Sequence, residues 1–321
     1  MLRVGVIGTG VMGAEHARLL RREVSGACLA AVSDLSPDRA EAVAEGAKVF
    51  ADAHALIADV DAVVVASPDA THADYARASI ALGKPVLCEK PLAASAADGL
   101  RIVEAEIAGG RRLMTVGFMR RFDPAYVEMK RALQSGRIGR AVILHNIHRN
   151  VLAPDWFNGA MTITNSFVHE IDISRFLLGE EMVDVQVSAA PGDDLLMITM
   201  RTDAGTVASC EMNINAGYGY HVHAQIDGRS GTVEMALPAV VTSNLAGHGR
   251  LSYASGWVPR FADAYRRQMQ AWVDGIVDGR PVGASAWDGY VTTAIAEVTA
   301  SSMPSGERTA IRLPERPPFY D

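Results

Sequence analysis

The first third of the chain alternates short β-branched runs with alanine-rich segments whose apolar residues recur at helical spacing. This alternation is typical of parallel strands that crossover helices bury on both faces. It predicts a doubly wound α/β unit of the Rossmann type. The predicted strands are residues 2–7, 28–34, 61–66, 85–88 and 113–118, and the predicted helices are residues 12–23, 37–45, 72–82 and 95–108.

After Phe118 the hydrophobic pattern changes, and a helix at 124–135, a strand at 141–149 and a helix at 165–178 are predicted. A region rich in strands follows, in which turn-like joints such as Asp203-Ala204-Gly205 predict an antiparallel meander. The strands of this region are residues 183–189, 194–201, 206–213, 221–226 and 232–235, and predicted helices at 261–277 and 287–303 come after them.

These patterns predict two domains. Residues 1–118 form an α/β Rossmann domain with a doubly wound parallel sheet, and residues 119–321 form an α+β domain with a largely antiparallel open sheet. An open antiparallel sheet can offer one face to a partner.

Composition excludes several classes of protein. A chain of 321 residues with 49% hydrophobic residues can bury a large core, which excludes a disordered protein. A net charge of −7 disfavours nucleic-acid binding, and apolar runs such as 62–66 are far shorter than the roughly 18 residues of a membrane span. The cysteines Cys28, Cys88 and Cys210 are too scattered for a disulfide framework or a zinc site. Since the chain also starts without a secretion signal, we expect a cytoplasmic protein without metal.

A glycine motif lies where the first predicted strand meets the first predicted helix. Gly8-Thr9-Gly10-Val11-Met12-Gly13 matches the pattern G-x-G-x-x-G. Its glycines allow a tight turn, approach of the backbone to a pyrophosphate, and close packing of helix on strand. Asp34 ends the second strand 21 residues beyond Gly13, where a carboxylate can bind the adenosine ribose.

The alternative interpretation of these residues is a glycine-rich turn with an aspartate that caps the helix starting at Ser36-Pro37. For a dinucleotide site, Asp34 favours NAD over NADP because a carboxylate repels a 2′-phosphate. Arg39 is the basic residue that could oppose this preference.

Lys90 is the first candidate for catalysis. The segment Cys88-Glu89-Lys90-Pro91 lies at the C-terminal end of a predicted parallel strand, which is the edge where open α/β sheets bind ligands. Pro91 favours an extended Lys90, so the side chain leaves the end of the strand. Its ammonium could stabilise a developing alkoxide, and the alternative is a solvated lysine paired with Glu89.

The second candidate is His169. A helical step of about 100° places Asn165, His169 and Asp172 on one face of the predicted helix. A histidine with polar neighbours suits a general base. The alternative is an ordinary amphipathic helix with a solvated polar side, and its apolar face holds Phe167, Ile171 and Leu178.

These residues resemble the Gfo/Idh/MocA oxidoreductases over nearly the whole chain, and within them the inositol dehydrogenases. The Glu-Lys-Pro motif is general to that family, whereas the Phe-Met-Arg-Arg, His-Arg-Asn and Tyr-Gly-Tyr stretches are similar to the inositol group. The segments that carry the resemblance are Cys88-Glu89-Lys90-Pro91-Leu92-Ala93, Val116-Gly117-Phe118-Met119-Arg120-Arg121-Phe122-Asp123, His148-Arg149-Asn150, His169-Glu170-Ile171-Asp172, Tyr218-Gly219-Tyr220 and Ala286-Trp287-Asp288-Gly289-Tyr290.

The resemblance implies an NAD-dependent oxidation of a ring alcohol, most specifically of myo-inositol to its 2-keto form. Lys90 and His169 match the catalytic lysine and histidine of the family, and Asn165 stands where the family usually has a catalytic aspartate. The resemblance also implies a homotetramer, and residues 119–321 are then expected to serve substrate binding and oligomerisation. The other residues that it assigns are Ser67 and Glu89, with Lys90, for the cofactor and Met119, Arg120, Asn150, Asp172 and Tyr220, with Lys90, Asn165 and His169, for the substrate.

Three alternatives to inositol oxidation remain open at this point. One is a dehydrogenase of another polyol, sugar or glycoside, which the exchange of aspartate for Asn165 keeps open, since asparagine binds hydroxyls but takes up no proton. Another is an NAD-binding regulatory protein without catalysis. The last is a hydroxy-acid dehydrogenase, for which Arg120 would have to bind the substrate carboxylate.

Overall fold

The computed structural model describes residues 1–192, 195–236 and 242–321, which form two compact units. The first unit comprises Met1–Met119, Asp263–Ala294 and Pro314–Asp321, and the second comprises Arg120–Ala262 and Ile295–Leu313. The sequence pattern placed a boundary at residue 118 but gave no sign that two later segments rejoin the first unit. No helix in the described ranges is long and apolar enough to cross a membrane.

A six-stranded parallel sheet in the order β3-β2-β1-β4-β5-β6 forms the centre of the first unit, which confirms the doubly wound prediction. Its strands are β1 (Leu2–Ile7), β2 (Ala27–Ser33), β3 (Lys48–Phe50), β4 (Ala62–Val65), β5 (Val86–Cys88) and β6 (Met114–Val116). The helices between them are α1 (Val11–Arg22), α2 (Pro37–Ala44), α3 (Ala53–Asp59), α4 (His72–Ala81) and α5 (Ala96–Gly109).

Local capping explains where several helices start. Ser36 accepts a hydrogen bond from the backbone of Arg39 and Pro37 occupies the first turn of α2. Ser95 caps α5 in the same way. The sequence pattern missed β3 and α3 because both are short, although Asp52, which caps α3, is a recognisable start signal.

The core of the first unit joins both ends of the chain. Val4 and Leu87 of the sheet share a cluster with Met269, Trp272 and Val273 of α10 (Ala262–Asp278). Near the C-terminus, the Tyr320 hydroxyl donates to Glu106 Oε2 at 2.6 Å, and both side chains are buried. The helix α11 (Ala286–Ser302) follows α10 in the chain.

The second unit contains a seven-stranded sheet in the order β12-β11-β7-β10-β9-β8-β15. Only the β7–β10 pair is parallel among these neighbours, so the sheet is largely antiparallel, as predicted. The predicted meander is wrong beyond β10, because β7 lies between β10 and β11. Hydrophobic alternation sets the faces of a strand but does not select its neighbours.

The elements of the second unit follow the chain from α6 onward. Strands β13 and β14 pair with each other and were not predicted, and residue 194 of one predicted strand lies outside the described residues. The strands are β7 (Ala141–Arg149), β8 (Met182–Ala189), β9 (Leu195–Thr202), β10 (Val207–Asn213), β11 (His221–Gly228), β12 (Thr232–Glu234), β13 (Thr242–Leu245), β14 (His248–Leu251) and β15 (Thr309–Ala310). The helices are α6 (Pro124–Gln134), α7 (Gly159–Met161), α8 (Val168–Leu178) and α9 (Trp257–Arg260).

Candidate active site

The glycine turn between β1 and α1 has the geometry that its motif requires. Gly8 has a φ of +84°, and a Cβ there would lie 2.5 Å from the backbone nitrogen of Ser67. A Cβ on Gly13 would lie 1.8 Å from the carbonyl oxygen of Gly8. A Cβ on Gly10 would meet no described atom within 4 Å. The first and third glycines therefore close the turn, while the second leaves open space.

The start of α1 fits an anionic ligand. Gly10 is its N-cap and contributes no side-chain hydrogen bond, and the first turn contains no acidic residue. The first N–H groups of a helix lack partners within the helix and carry partial positive charge. Together with the open space at Gly10, this start fits the diphosphate of a dinucleotide.

Asp34 accepts four hydrogen bonds at the end of β2. Its Oδ2 atom accepts from Thr9 N at 2.7 Å and Thr9 Oγ1 at 2.9 Å, and its Oδ1 atom accepts from Ser36 N at 2.8 Å and Arg39 Nη2 at 2.7 Å. Burial alone would raise the pKa of Asp34, but these donors lower it well below its usual value. Asp34 is therefore ionised, holds the glycine turn through Thr9, and contacts the start of α2.

Lys90 follows β5 in a half-buried position, and the Lys90–Pro91 peptide bond is cis. The backbone of the preceding Glu89 donates to the Val65 carbonyl at 2.8 Å, which continues the ladder beyond the strand. Glu89 Oε1 lies 2.8 Å from His16 Nε2. This short contact shows that the Glu89 carboxylate is committed to a buried histidine.

His169 lies in the first turn of α8 and is only 7% exposed. The residues before it, Thr162–Phe167, form a π-helix rather than the uniform α-helix predicted from residue 165. Since i→i+5 hydrogen bonds change the angular step, the shared face of Asn165 and His169 stays a prediction. Asn165 is half-buried, and its Oδ1 atom accepts from Thr164 Oγ1 at 2.7 Å.

The polar side of α8 is not solvated, so the amphipathic-helix alternative is wrong. Glu170, Asp172 and Arg175 are 0%, 1% and 6% exposed, respectively. Buried charged groups require partners. Asp172 has one in Arg121, whose Nη2 donates to Oδ1 at 2.6 Å and whose Nε donates to Oδ2 at 3.0 Å.

A buried polar network adjoins His169 in the second unit. Arg120 forms an ion pair with Glu170, whose Oε2 atom lies 3.0 Å from His148 Nδ1. The other ring nitrogen of His148 lies 3.3 Å from the Tyr220 hydroxyl. The rings of His148 and His169 have centroids 6.5 Å apart. His148 thus contacts Glu170 and Tyr220, and its ring lies near that of His169.

Electrostatic interactions keep Glu170 and Arg120 of this network ionised. Burial opposes ionisation of Glu170, but Arg120 and His148 outweigh it and lower the pKa of Glu170. Burial also opposes the charge of Arg120, yet Glu170 raises its pKa above the usual value. Burial raises the pKa of Tyr220 to about 12, so this phenol is a neutral hydrogen-bonding group.

The remaining candidate residues lie in three places. Met119 is buried at the start of a 3₁₀ turn, Met119–Phe122. Asn150 follows β7, and its backbone pairs with Asn213 at 2.8 Å. Ser67 follows β4, and its hydroxyl lies 2.7 Å from Thr71 Oγ1.

Sequence reasoning did not single out His148 and Glu170, which belong to the buried polar network beside His169. Both lie within motifs that carried the family resemblance, but neither lies at a sequence distance from another candidate residue that indicates a role. One signal was available: side chains alternate along a strand, so the predicted strand 141–149 places Asn146 and His148 on the same face as Leu144. The structure shows that all three are buried. A histidine on the buried face of a strand needs a polar partner.

Comparison with known proteins places these features in one family. Residues 2–118 match the sequence model of the Gfo/Idh/MocA oxidoreductase family, NAD-binding Rossmann fold. Residues 126–234 match that of the Gfo/Idh/MocA C-terminal domain, and together the two matches cover more than half of the chain. The chain belongs to the Gfo/Idh/MocA oxidoreductases. The predictions of family, fold class and NAD as cofactor are thereby confirmed.

Within the Gfo/Idh/MocA family, the chain is similar to inositol dehydrogenases over its whole length. It is 46% identical to inositol 2-dehydrogenase 2 of Saccharopolyspora erythraea, with 99% of this chain and 98% of the relative covered. Inositol 2-dehydrogenase 1 of the same organism is 47% identical, with 99% of both chains covered. A crystal structure of myo-inositol dehydrogenase from Lactobacillus casei in complex with NAD(H) and myo-inositol has a TM-score of 0.96 at 30% identity, with both chains fully covered.

Proposed function

We propose that this chain is an NAD-dependent dehydrogenase that oxidises a ring hydroxyl of a cyclitol, with myo-inositol converted to its 2-keto form. The observation that carries the proposal is the match, over both whole chains, to a myo-inositol dehydrogenase that binds NAD(H) and myo-inositol. The relatives named inositol 2-dehydrogenase support the position of oxidation on the ring.

The first unit supplies residues that fit NAD. The backbone of Gly8–Gly13 and the uncapped start of α1 suit its diphosphate, and the ionised Asp34 suits a ribose hydroxyl. Ser67, Glu89 and Lys90 are the further residues that we assign to the cofactor. When bound, NAD supplies the hydride acceptor of the reaction.

We assign proton transfer to His169 and charge stabilisation to Lys90. An imidazole exchanges protons near neutral pH, so His169 is suited to accept the proton of the reacting hydroxyl. The ammonium of Lys90 orients the same oxygen and stabilises the negative charge that develops on it. Asn165 can hydrogen-bond a substrate hydroxyl or Lys90, but it takes up no proton.

The polar network adjoining His169 suits a polyhydroxylated ring. We assign Tyr220 and Asn150 to the ring as neutral hydrogen-bonding groups, and Met119 as an apolar contact. Arg120 and Asp172 are committed to buried ion pairs, so we propose that they fix the shape of the substrate pocket. A hydroxy acid would need a cation for its carboxylate, and the pairing of Arg120 with Glu170 disfavours such a substrate.

A substrate screen tests this function. The purified protein is incubated with NAD and inositol isomers, aldoses or glycosides, while the absorbance of reduced nicotinamide is followed. The proposal predicts the highest kcat/KM with myo-inositol and a ketone at position 2 by product analysis. A higher kcat/KM with an aldose or glycoside would show that the enzyme acts on that substrate class instead. NAD binding without oxidation of any compound would indicate a regulatory protein.

We further propose that the chain assembles as a homotetramer through the outer face of the seven-stranded sheet. Accessible apolar residues alternate there with buried ones, as in Ile143 and Ile147 of β7, Met197 of β9 and Val207 of β10. Light scattering coupled to gel filtration measures the assembly. A charge on this face, as in Ile147→Glu, is expected to reduce the mass, and a monomeric wild type would contradict the proposal.

We propose the cytoplasm as the location. Cys28, Cys88 and Cys210 are free thiols in the structure, which suits a reducing compartment. Cell fractionation with an antibody against the chain tests this location, and recovery outside the cytoplasmic fraction would contradict it.

A further inference from the structure

Two buried histidines hold the residues on either side of Lys90, and neither was assigned a role above. His16 belongs to α1 and contacts Glu89, the residue before Lys90. His72 is the first residue of α4 and contacts Pro91, the residue after Lys90. The two histidines are 1% and 2% exposed, so both contacts are shielded from water.

The His16 contact joins the glycine-turn helix to the segment of Lys90. Its Nε2 atom lies 2.8 Å from Glu89 Oε1, and Glu89 Oε2 accepts from Lys90 N at 3.3 Å. Burial opposes ionisation of Glu89, but His16 and Lys90 outweigh it and lower the pKa of Glu89. A carboxylate only accepts hydrogen bonds, so His16 Nε2 is the donor.

Few other contacts can orient the ring of His16. Its Nδ1 atom is buried and has no hydrogen-bond partner among the described residues. Its ring packs edge-on against Tyr265, with centroids 6.1 Å apart. The bond to Glu89 is therefore the polar contact that fixes this ring, and the same bond fixes the Glu89 carboxylate.

The His72 contact joins the Lys90 segment to the loop after β4. Its Nδ1 atom lies 2.8 Å from the carbonyl oxygen of Pro91, and its Nε2 atom lies 2.8 Å from the carbonyl oxygen of Ser67. A Cβ on Gly8 would lie 2.5 Å from Ser67 N, so this loop packs directly on the glycine turn. Both histidines thus connect the segment of Lys90 to the elements assigned to the cofactor.

We propose that His16 and His72 are positioning residues that fix the backbone on both sides of Lys90 and thereby aim its side chain. The proposal rests on the catalytic role of Lys90 given above. A displacement of about 1 Å at a reacting group can cost on the order of 100-fold in rate. Two rigid contacts adjoining Lys90 are a means to prevent such a displacement.

Kinetics of His16→Asn and His72→Asn test the proposal. Each substitution is expected to lower kcat about 10- to 100-fold through misplacement of Lys90, while the Kd for NAD, measured by titration calorimetry without substrate, changes far less. His16→Gln keeps an N–H donor for Glu89 and should recover part of kcat, whereas His16→Leu should not. The matched control is His54→Asn, which removes an exposed histidine that contacts Asp74 at 3.1 Å in the same unit.

A double substitution separates positioning from general stability. In a Lys90→Ala background, His16→Asn should lower kcat no further, because its effect passes through Lys90. Additive losses, or an unchanged kcat with a lower Tm in the single variants, would overturn the proposal. A loss confined to NAD binding would also overturn it, since the histidines would then serve the cofactor turn alone.

A readout without substrate keeps this test independent of the proposed function. The chain has four lysines, so mass spectrometry can follow acylation of Lys90 separately from that of Lys48, Lys84 and Lys130. Release of the Lys90 segment should speed the acylation of Lys90 several-fold in His16→Asn and in His72→Asn, while the exposed Lys48 reacts as before. If no polyol is oxidised but Lys90 labelling changes as stated, the proposed function fails and the positioning role stands. Unchanged labelling would contradict the positioning role.

Discussion

Arg120 and Glu170 form an ion pair in which each side chain is 1% exposed. Removing one partner of such a pair leaves the other charge buried, which costs roughly 3–5 kcal/mol. We therefore expect Glu170→Ala to lower the free energy of unfolding by about that amount, as measured by urea denaturation. Glu128→Ala is the control, because Glu128 is exposed and pairs with Arg131 on α6, where a loss of about 0–1 kcal/mol is typical. Equal losses in the two variants would show that the buried ion pair contributes no more to stability than the exposed one.

Lys90→Ala and His169→Ala should each lower kcat strongly while NAD still binds. Both side chains are proposed to act on the reacting hydroxyl, and loss of an acid–base group typically costs about 10²–10⁴-fold. Steady-state kinetics with the best substrate and calorimetry with NAD provide the two readouts. Lys48→Ala and His54→Ala alter exposed residues of the same types and serve as controls. A near-normal kcat in either test variant would show that the residue has a structural role and not a catalytic one.

NAD should have a higher kcat/KM than NADP. The ionised Asp34 repels a 2′-phosphate, and Arg39, the basic group on it, already donates to its Oδ1 atom. Arg39→Ala should widen the preference for NAD, because it removes the cation that could contact a 2′-phosphate. The comparison of kcat/KM for the two cofactors checks this in both proteins. Equal or better use of NADP by the wild type would mean that Asp34 does not face the ribose.

Asn165→Asp should change the pH dependence of kcat/KM more than substrate affinity. A carboxylate near His169 would favour the protonated imidazole, so the acid limb of the profile should move to higher pH. Asn165→Ser, which is uncharged, is the control and should leave the limb in place. Superimposed profiles for wild type and Asn165→Asp would show that the π-helical turn carries residue 165 away from His169.

Glu106 should make the folded chain less stable as pH rises. Burial raises its pKa above the ordinary value of 4.5, although Tyr320 and the backbone of Met114 favour the ionised form. The folded chain then holds a proton that the unfolded chain has released, so the free energy of unfolding falls with rising pH from 4.5 up to the raised pKa.

Glu106→Gln removes this titration and should flatten that part of the stability profile. The amide oxygen can still accept from the backbone of Met114, which donates to Glu106 Oε1 at 2.6 Å. Denaturation midpoints between pH 4 and pH 8 measure the slope. Glu104→Gln changes an exposed residue of the same helix and should leave the slope unchanged. A slope that survives Glu106→Gln would assign the pH dependence to another group.

The first unit was largely predictable because its signals are local. Alternation of apolar runs located five of its six strands, and Gly8 and Gly13 have the tight packing that their motif implied. The contact of Asp34 with an adenosine ribose stays a prediction, and the bonds of Asp34 to Thr9 were not predicted. The short strand β3 was not predicted, because three residues are too few to show a hydrophobic period.

The features that could not be predicted from the sequence are an irregular helical turn and the contacts between distant segments. The π-helix before His169 breaks the uniform step assumed for Asn165, and the pairing of Arg120 with Glu170 joins residues 50 positions apart. The place of β7 between β10 and β11 depends likewise on pairing between distant segments. Periodicity describes which side of an element is buried, and it carries no information about the partner on that side.

The return of α10 and Tyr320 to the first unit bears on how the chain is made. During synthesis the Rossmann strands leave the ribosome long before Met269, Trp272 and Val273, which complete their core. We therefore expect the nascent N-terminal segment to leave part of its apolar surface uncovered until these residues have been made, a state that chaperones recognise. A polypeptide released at residue 118 would lack these covering residues, and we expect it to aggregate rather than to bind a dinucleotide. We therefore expect the capacity to hold NAD to arise only after residue 273 has been made.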